Sequence, residues 1–158
     1  MTMNLRRVVT GHDKAGRAVV KIDEISTNIR NNRPGATSYV IWSTNAWPIS
    51  SDDETDPTSR VISTTEENGT VFRIIRYDPG VVPRRHRTDS IDYAVVLSGE
   101  IDMELDGETV HLRAGDTLVQ RATVHNWVNR GSEPCIIAFV LVSAKSPTVD
   151  GKPLEAHG

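Results

Sequence analysis

The chain has 158 residues, 37% hydrophobic and 25% charged, with a net charge of −3. That length suits a single domain with a core that needs no staples, and the slight acidity excludes the basic surface of a nucleic-acid binder. One cysteine cannot form an internal disulfide, no run approaches the ~18 apolar residues of a membrane span, and MTMNLRRVVTGHDK lacks the apolar segment of a signal peptide. A cytoplasmic protein is expected, with neither nucleic acid nor membrane as partner.

Residues 5–10 and 17–22 are β-branched runs separated by Gly11-His12-Asp13-Lys14 and Gly16, which predicts a hairpin with His12 in its turn. Residues 24–37 are polar and contain Pro34-Gly35, the mark of a loop. Residues 38–43 (SYVIWS) read as a strand. The proline-containing acidic stretch after it reads as solvated loop.

From Gly69 the texture changes. Short strand patterns follow at 70–77, 91–98, 100–105, 108–112, 117–120, 124–129 and 135–143, separated by turn signals such as Asp78-Pro79-Gly80, Asp106-Gly107 and Ala114-Gly115-Asp116. Cys135 falls in the apolar run PCIIAFVLV and reads as a small buried hydrophobe. No segment carries helical periodicity with caps, which points to an all-β sandwich or barrel. The tail, 144–158, is polar with two prolines and reads as mobile or pinned by a neighbour. The chain thus divides into an N-terminal strand-and-loop extension (1–68), a barrel (69–143) and the tail.

Within the barrel, Gly80 to Asn129 stands out. Its first half runs Gly80, His86, Thr88, Asp92, Gly99; its second runs Gly115, Gln120, Ala122, His125, Asn129. Strand alternation puts Asp92, Ala94 and Val96 on one face and Tyr93, Val95 and Leu97 on the other, while His125, Trp127 and Asn129 share a face. A charged Asp92 inside a barrel is costly unless something pairs with it, and a metal ion is one such partner. Arg84, Arg85 and Arg87 surround His86, and Arg121 precedes His125. These guanidinium groups either anchor an anionic substrate or balance surface acids, and alternation lets no more than two of the first three point inward. His12, His111 and His157 read as structural. No phosphate loop, nucleophile elbow or cysteine cluster competes.

The paired halves resemble the two motifs of the cupin superfamily. The resemblance implies a single-domain all-β cupin barrel or jelly roll with an N-terminal extension, Trp42 and Trp47 lining or capping its cavity, and a homodimer. It also implies one divalent transition metal ion (Fe, Zn or Mn) held by His86, Asp92 and His125. The family's second motif-one histidine is replaced here by Thr88, its glutamate by Asp92, and its usual Pro and Gly by Gln120 and Ala122. The expected function is a metal-dependent enzyme acting on a small, anionic organic molecule by lyase, decarboxylase or isomerase chemistry. Asp92 or a metal-bound water would move the proton, Arg84, Arg85 and Arg121 would anchor the anion, and Trp127 and Tyr93 would shape the pocket. The alternatives are an Fe(II)-dependent dioxygenase and a metal-free binding cupin in which His86 and His125 hydrogen-bond each other, Asp92 or water.

Overall fold

The computed structural model describes residues 2–158. Strands β1 (Arg6–His12) and β2 (Ala18–Ile25) form the expected hairpin. Its turn is built by Asp13, whose carboxylate accepts from the Ala15 and Arg17 amides, with Gly16 at φ 75°. His12 pairs with Ala18 and so ends a strand instead of sitting in the turn.

The loop expected over 24–37 is corrected. It contains the end of β2 and all of β3 (Ile29–Arg33), which pairs with β4 (Ala36–Thr44) across Pro34-Gly35. Gly35 has φ 79°, and a Cβ there would meet Val81 Cα at 2.8 Å, so this turn both bends left-handed and lies against the barrel. The sequence IRNNR hides the strand because it lacks apolar alternation. Pairing along the edge of a sheet holds it.

The remaining strands are β5 (Thr70–Tyr77), β6 (Ser90–Ser98), β7 (Glu100–Glu104), β8 (Thr109–Arg113), β9 (Thr117–Arg121), β10 (Asn126–Val128) and β11 (Cys135–Ser143). A six-stranded sheet runs β3-β4-β5-β11-β6-β9 and a three-stranded sheet β10-β7-β8. β3 and β4 thus belong to the same large sheet as β5, β6, β9 and β11. Alternation sets the core: on β11, Cys135, Ile137, Phe139 and Leu141 are buried, and they join Val71, Tyr77 and Val96 of the large sheet with Ile101, Met103, Leu112 and Trp127 of the small one. Among the described residues there is no α-helix, and no helix is long and apolar enough to cross a membrane.

The acidic stretch is more than solvated loop. Asp56 caps a 3-10 turn (Pro57–Ser59) and receives a two-pronged grip from the buried Arg7 of β1. The tail forms a small hairpin, β12 (Thr148–Val149) with β13 (Lys152–Pro153), and then lies beside the first motif: Arg87 and His157 exchange backbone hydrogen bonds of 2.9 and 3.1 Å.

Candidate active-site cavity

The centre of the site is a backbone clasp. His86 and His125 lie outside the regular strands, yet each amide donates to the other's carbonyl at 3.0 Å. The two rings are consequently 4.3 Å apart, centroid to centroid. Each ring is also oriented by a carbonyl two residues before it: His86 Nδ1–H donates to Arg84 and His125 Nδ1–H to Thr123, both at 3.0 Å. Those bonds fix the tautomer and leave each Nε2 with no hydrogen-bond partner among the described residues. The Gln120 side chain accepts from the Thr123 amide and hydroxyl, donates to the Thr123 carbonyl, and lays its amide nitrogen against His125 Nδ1. Burial pulls both imidazoles below their ordinary value. His86 falls to about 4, helped by His125 beside it. Both are neutral at pH 7.

Asp92 projects from β6 into the same cavity. Its carboxyl group is buried and accepts from Ser90 Oγ at 2.6 Å, which in turn touches Thr88 Oγ1 at 2.9 Å. Burial raises its pKa, against the pull of the Ser90 bond and the charge of Arg73, and so favours the neutral form.

Two walls complete the cavity. One is apolar: Ile75, Tyr77, Trp127, Phe139 and Leu141, with Trp127 stacked 6.0 Å from Tyr77 and edge-on to Phe139. The other is cationic: Arg30, Arg33, Arg73 and Arg84. Atom-free space between them is about 610 Å³, counted out to the open mouth. Among the described residues Arg30, Arg33 and Arg73 are not ion-paired to a carboxylate, whereas Arg84 Nη2 donates to the Gly158 oxygen at 2.7 Å.

Residues 73–142 match the Cupin_2 family, a cupin domain. A cupin-domain-containing oxidoreductase, fogC, of Aspergillus ruber is 37% identical over 161 residues, covering 96% of this chain and 78% of the relative. This chain belongs to the cupin superfamily. A second cupin-domain-containing oxidoreductase, virC of Hypocrea virens, is 32% identical, covering 88% of this chain and 76% of the relative. A Salmonella typhimurium structure described as ethanolamine utilization protein q aligns with TM-score 0.51 at 12% identity, over 90% of this chain and 99% of the other. That likeness speaks to the cupin fold alone.

Of the residues predicted from sequence, His86, Asp92, His125, Arg84 and Trp127 line this cupin's cavity. Three do not. Arg85 points outward and pairs with Asp106. Arg121 is exposed, and Tyr93 is 52% exposed on the outer face of β6, because each alternates away from a buried neighbour. Trp42 and Trp47 also lie off the cavity, Trp47 being largely exposed. Arg87 donates to the Ala122 carbonyl. His111 sits between Glu100 and Asp102 on the surface, as a structural residue would. Sequence reasoning missed Arg30, Arg33 and Arg73 as lining, and Gln120 as the residue that braces Thr123, whose carbonyl orients His125.

The expected metal triad is not assembled. His86 and His125 offer two free imidazole nitrogens, but among the described residues no three His, Cys, Asp or Glu side chains come together as a metal-binding group. Asp92 Oδ1 accepts from Ser90 Oγ at 2.6 Å. Two imidazoles alone do not make the three-donor site that a structural or catalytic transition metal uses.

Proposed function

We propose that this chain is a cupin enzyme that binds a small organic anion in the arginine-lined cavity and moves a proton on it, in isomerase- or lyase-type chemistry. The observation that carries this reading is the juxtaposition of two neutral imidazoles, a buried carboxyl group and four guanidinium groups around one cavity. A neutral imidazole Nε2 is a competent base for a C–H next to a carbonyl. The proton passes to that nitrogen, the C–H electron pair flows into an enolate, and the guanidinium groups stabilise the oxygen charge as it forms. Returning the proton at another atom completes an isomerisation, and expelling a leaving group β to the carbonyl from the enolate completes a lyase reaction; a decarboxylation would reach an enolate by losing carbon dioxide in place of the proton and end on its protonation. Asp92 is the group placed to return the proton.

Similarity to cupin-domain-containing oxidoreductases favours a second reading: a dioxygenase using Fe(II). It ranks second because the third metal donor is lacking. A metal-free binding cupin is the remaining alternative. The proposal includes a homodimer: Tyr93, Leu97 and Val119 leave an apolar sheet face that a second copy would cover, and sedimentation equilibrium reads it directly.

The test uses phenylpyruvate in D₂O, whose benzylic protons exchange through the enol. The protein should accelerate exchange without consuming O₂, and His86→Ala and His125→Ala should each lose about 10²–10⁴-fold. No acceleration over imidazole buffer would sink the proton-transfer reading. Fe(II)-dependent oxygen uptake would promote the dioxygenase.

A further inference from the structure

The cationic wall carries more than charge. Among the described residues, four side chains hold a buried polar atom with no hydrogen-bond partner: Arg7, Arg33, Ser38 and Arg73. Three of the four line this one cavity. The atoms are Arg33 Nη1, Ser38 Oγ and Arg73 Nε.

Strand register explains why they face the same cavity. Ser38 on β4 lies opposite Ile75 on β5, Arg73 is two residues along β5 from Ile75 on the same face, and Arg33 lies opposite Ala36, which is itself opposite Tyr77. All three donors therefore sit on one face of adjacent strands, Arg33 level with Tyr77, Ser38 with Ile75 and Arg73 one step further along β5, and all three line the cavity. Arg73 is 4% exposed. Its Nη2 is spent on the Ser63 and Thr64 carbonyls at 2.8 and 2.9 Å, which aims the guanidinium and leaves Nε unused. The Arg33 guanidinium lies 5.8 Å from the centre of the Tyr77 ring, held by the aromatic face.

A buried guanidinium without an anion is expensive, and an unmade hydrogen bond adds to the cost. The arrangement makes sense as a receptor kept open for an acceptor. We infer that Arg33, Arg73 and Ser38 hold the carboxylate of an aryl- or alkyl-carboxylic acid, whose apolar body lies along Tyr77, Trp127 and Phe139 toward His86 and His125. Two arginine N–H groups and one hydroxyl match the two oxygens of a carboxylate, each of which accepts twice. Phosphate fits less well, because a third charged oxygen would face the apolar wall. Arg33 and Arg73 are then the specificity-determining residues of the site. This deepens the proton-transfer reading by naming the substrate class, and rests on the same cavity.

Calorimetric titration of the full chain separates the two ideas. The probes are benzoate, 3-phenylpropanoate and trans-cinnamate, each beside its primary amide, and inorganic phosphate. At least one acid should bind, with its amide about 10- to 100-fold weaker. Arg33→Gln should weaken the acid by a similar factor and leave the amide unchanged; because Arg33 is only half-buried, this variant decides the matter if Arg73→Met does not fold. Equal binding of acid and amide, no binding of any acid, phosphate binding tighter than every acid, or an unaltered acid affinity in Arg33→Gln overturns the inference. Acid binding without deuterium exchange on phenylpyruvate keeps this inference and removes the proton-transfer reading; exchange with acid and amide bound alike does the reverse.

Discussion

His86 and His125 are clasped by their own backbones, amide to carbonyl in both directions, and their rings meet at 4.3 Å. The contact does not depend on a ligand, because the main chain fixes both Cα positions before the side chains are considered. Both imidazoles are buried, with Trp127 edge-on to His125; His86 is kept neutral by desolvation first and by repulsion from His125 second, and His125 by desolvation first, with the charges of Arg84 and Arg33 acting in the same direction.

Stability should therefore fall on the acid side. His86 has an ordinary value of 6.5 and a folded value of about 4, so the unfolded chain takes up the proton first. Its contribution is complete above about pH 6.5 and is lost as the pH falls toward and through about 4. His125 shifts in the same direction. Asp92, raised above its ordinary value, acts in the opposite sense at the acid end, stabilising the fold when protonated. Urea midpoints between pH 7.5 and 4 should decline, His86→Gln should flatten the curve, and Asp92→Asn should alter only its acid end. A flat profile in the unmodified protein would mean that the imidazoles are not buried as described.

Gln120 provides a sharper test of how the pair is held. It lies opposite Asp92 in the β6–β9 register and is itself buried, with its amide spent on Thr123 and against His125. Gln120→Leu removes these contacts while keeping the volume. The expected cost is about 1 kcal/mol in stability, with a displaced His125 titration in NMR and slower phenylpyruvate exchange at unchanged acid affinity. Gln120→Glu, which keeps the reach, should recover part of the ring order. Loss of stability with no change in the His125 titration would reduce Gln120 to a packing residue.

These residues differ in how plainly the sequence announces them. His86, Asp92 and His125 stand at fixed distances from glycine turns, and period-two alternation alone puts Trp127 beside His125 and turns Tyr93 away from Asp92. The same rule sends Arg85 outward once His86 is inward, so the trio of arginines was never going to act together. Arg33 and Arg73 are different. Nothing local in IRNNR or TVFRIIRY says which arginine faces a cavity. That is settled by the register of β3 on β4 and β4 on β5, and the β4–β5 pairing is itself shifted by an irregularity between Val40 and Trp42. The three-donor group is open for a related reason: spacing brings His86, Asp92 and His125 to one cavity, but whether they meet at one point depends on side-chain direction, and among the described residues no three such side chains come together.

Arg7 and Asp56 give the last prediction, away from the cavity. Arg7 Nη1 and Nη2 donate to the two Asp56 oxygens at 3.0 and 2.6 Å, and Glu24 on β2 pairs with the same guanidinium. The Arg7 bond holds the Asp56 carboxyl down at about 2, so its contribution is full above the ordinary 3.8 and lost only as the pH falls through about 2. Because Arg7 is buried while Asp56 is partly open, Asp56→Ala leaves a buried cation with Glu24 alone. The β1–β2 hairpin should then open locally, without global unfolding. Hydrogen exchange should accelerate at the amides of β1 and β2 and remain slow on β5 and β11, and phenylpyruvate exchange should be unaltered. Uniform acceleration across all four strands would show that the hairpin is an integral part of the cooperative core, and that the clip of Arg7 on Asp56 holds more than its own segment.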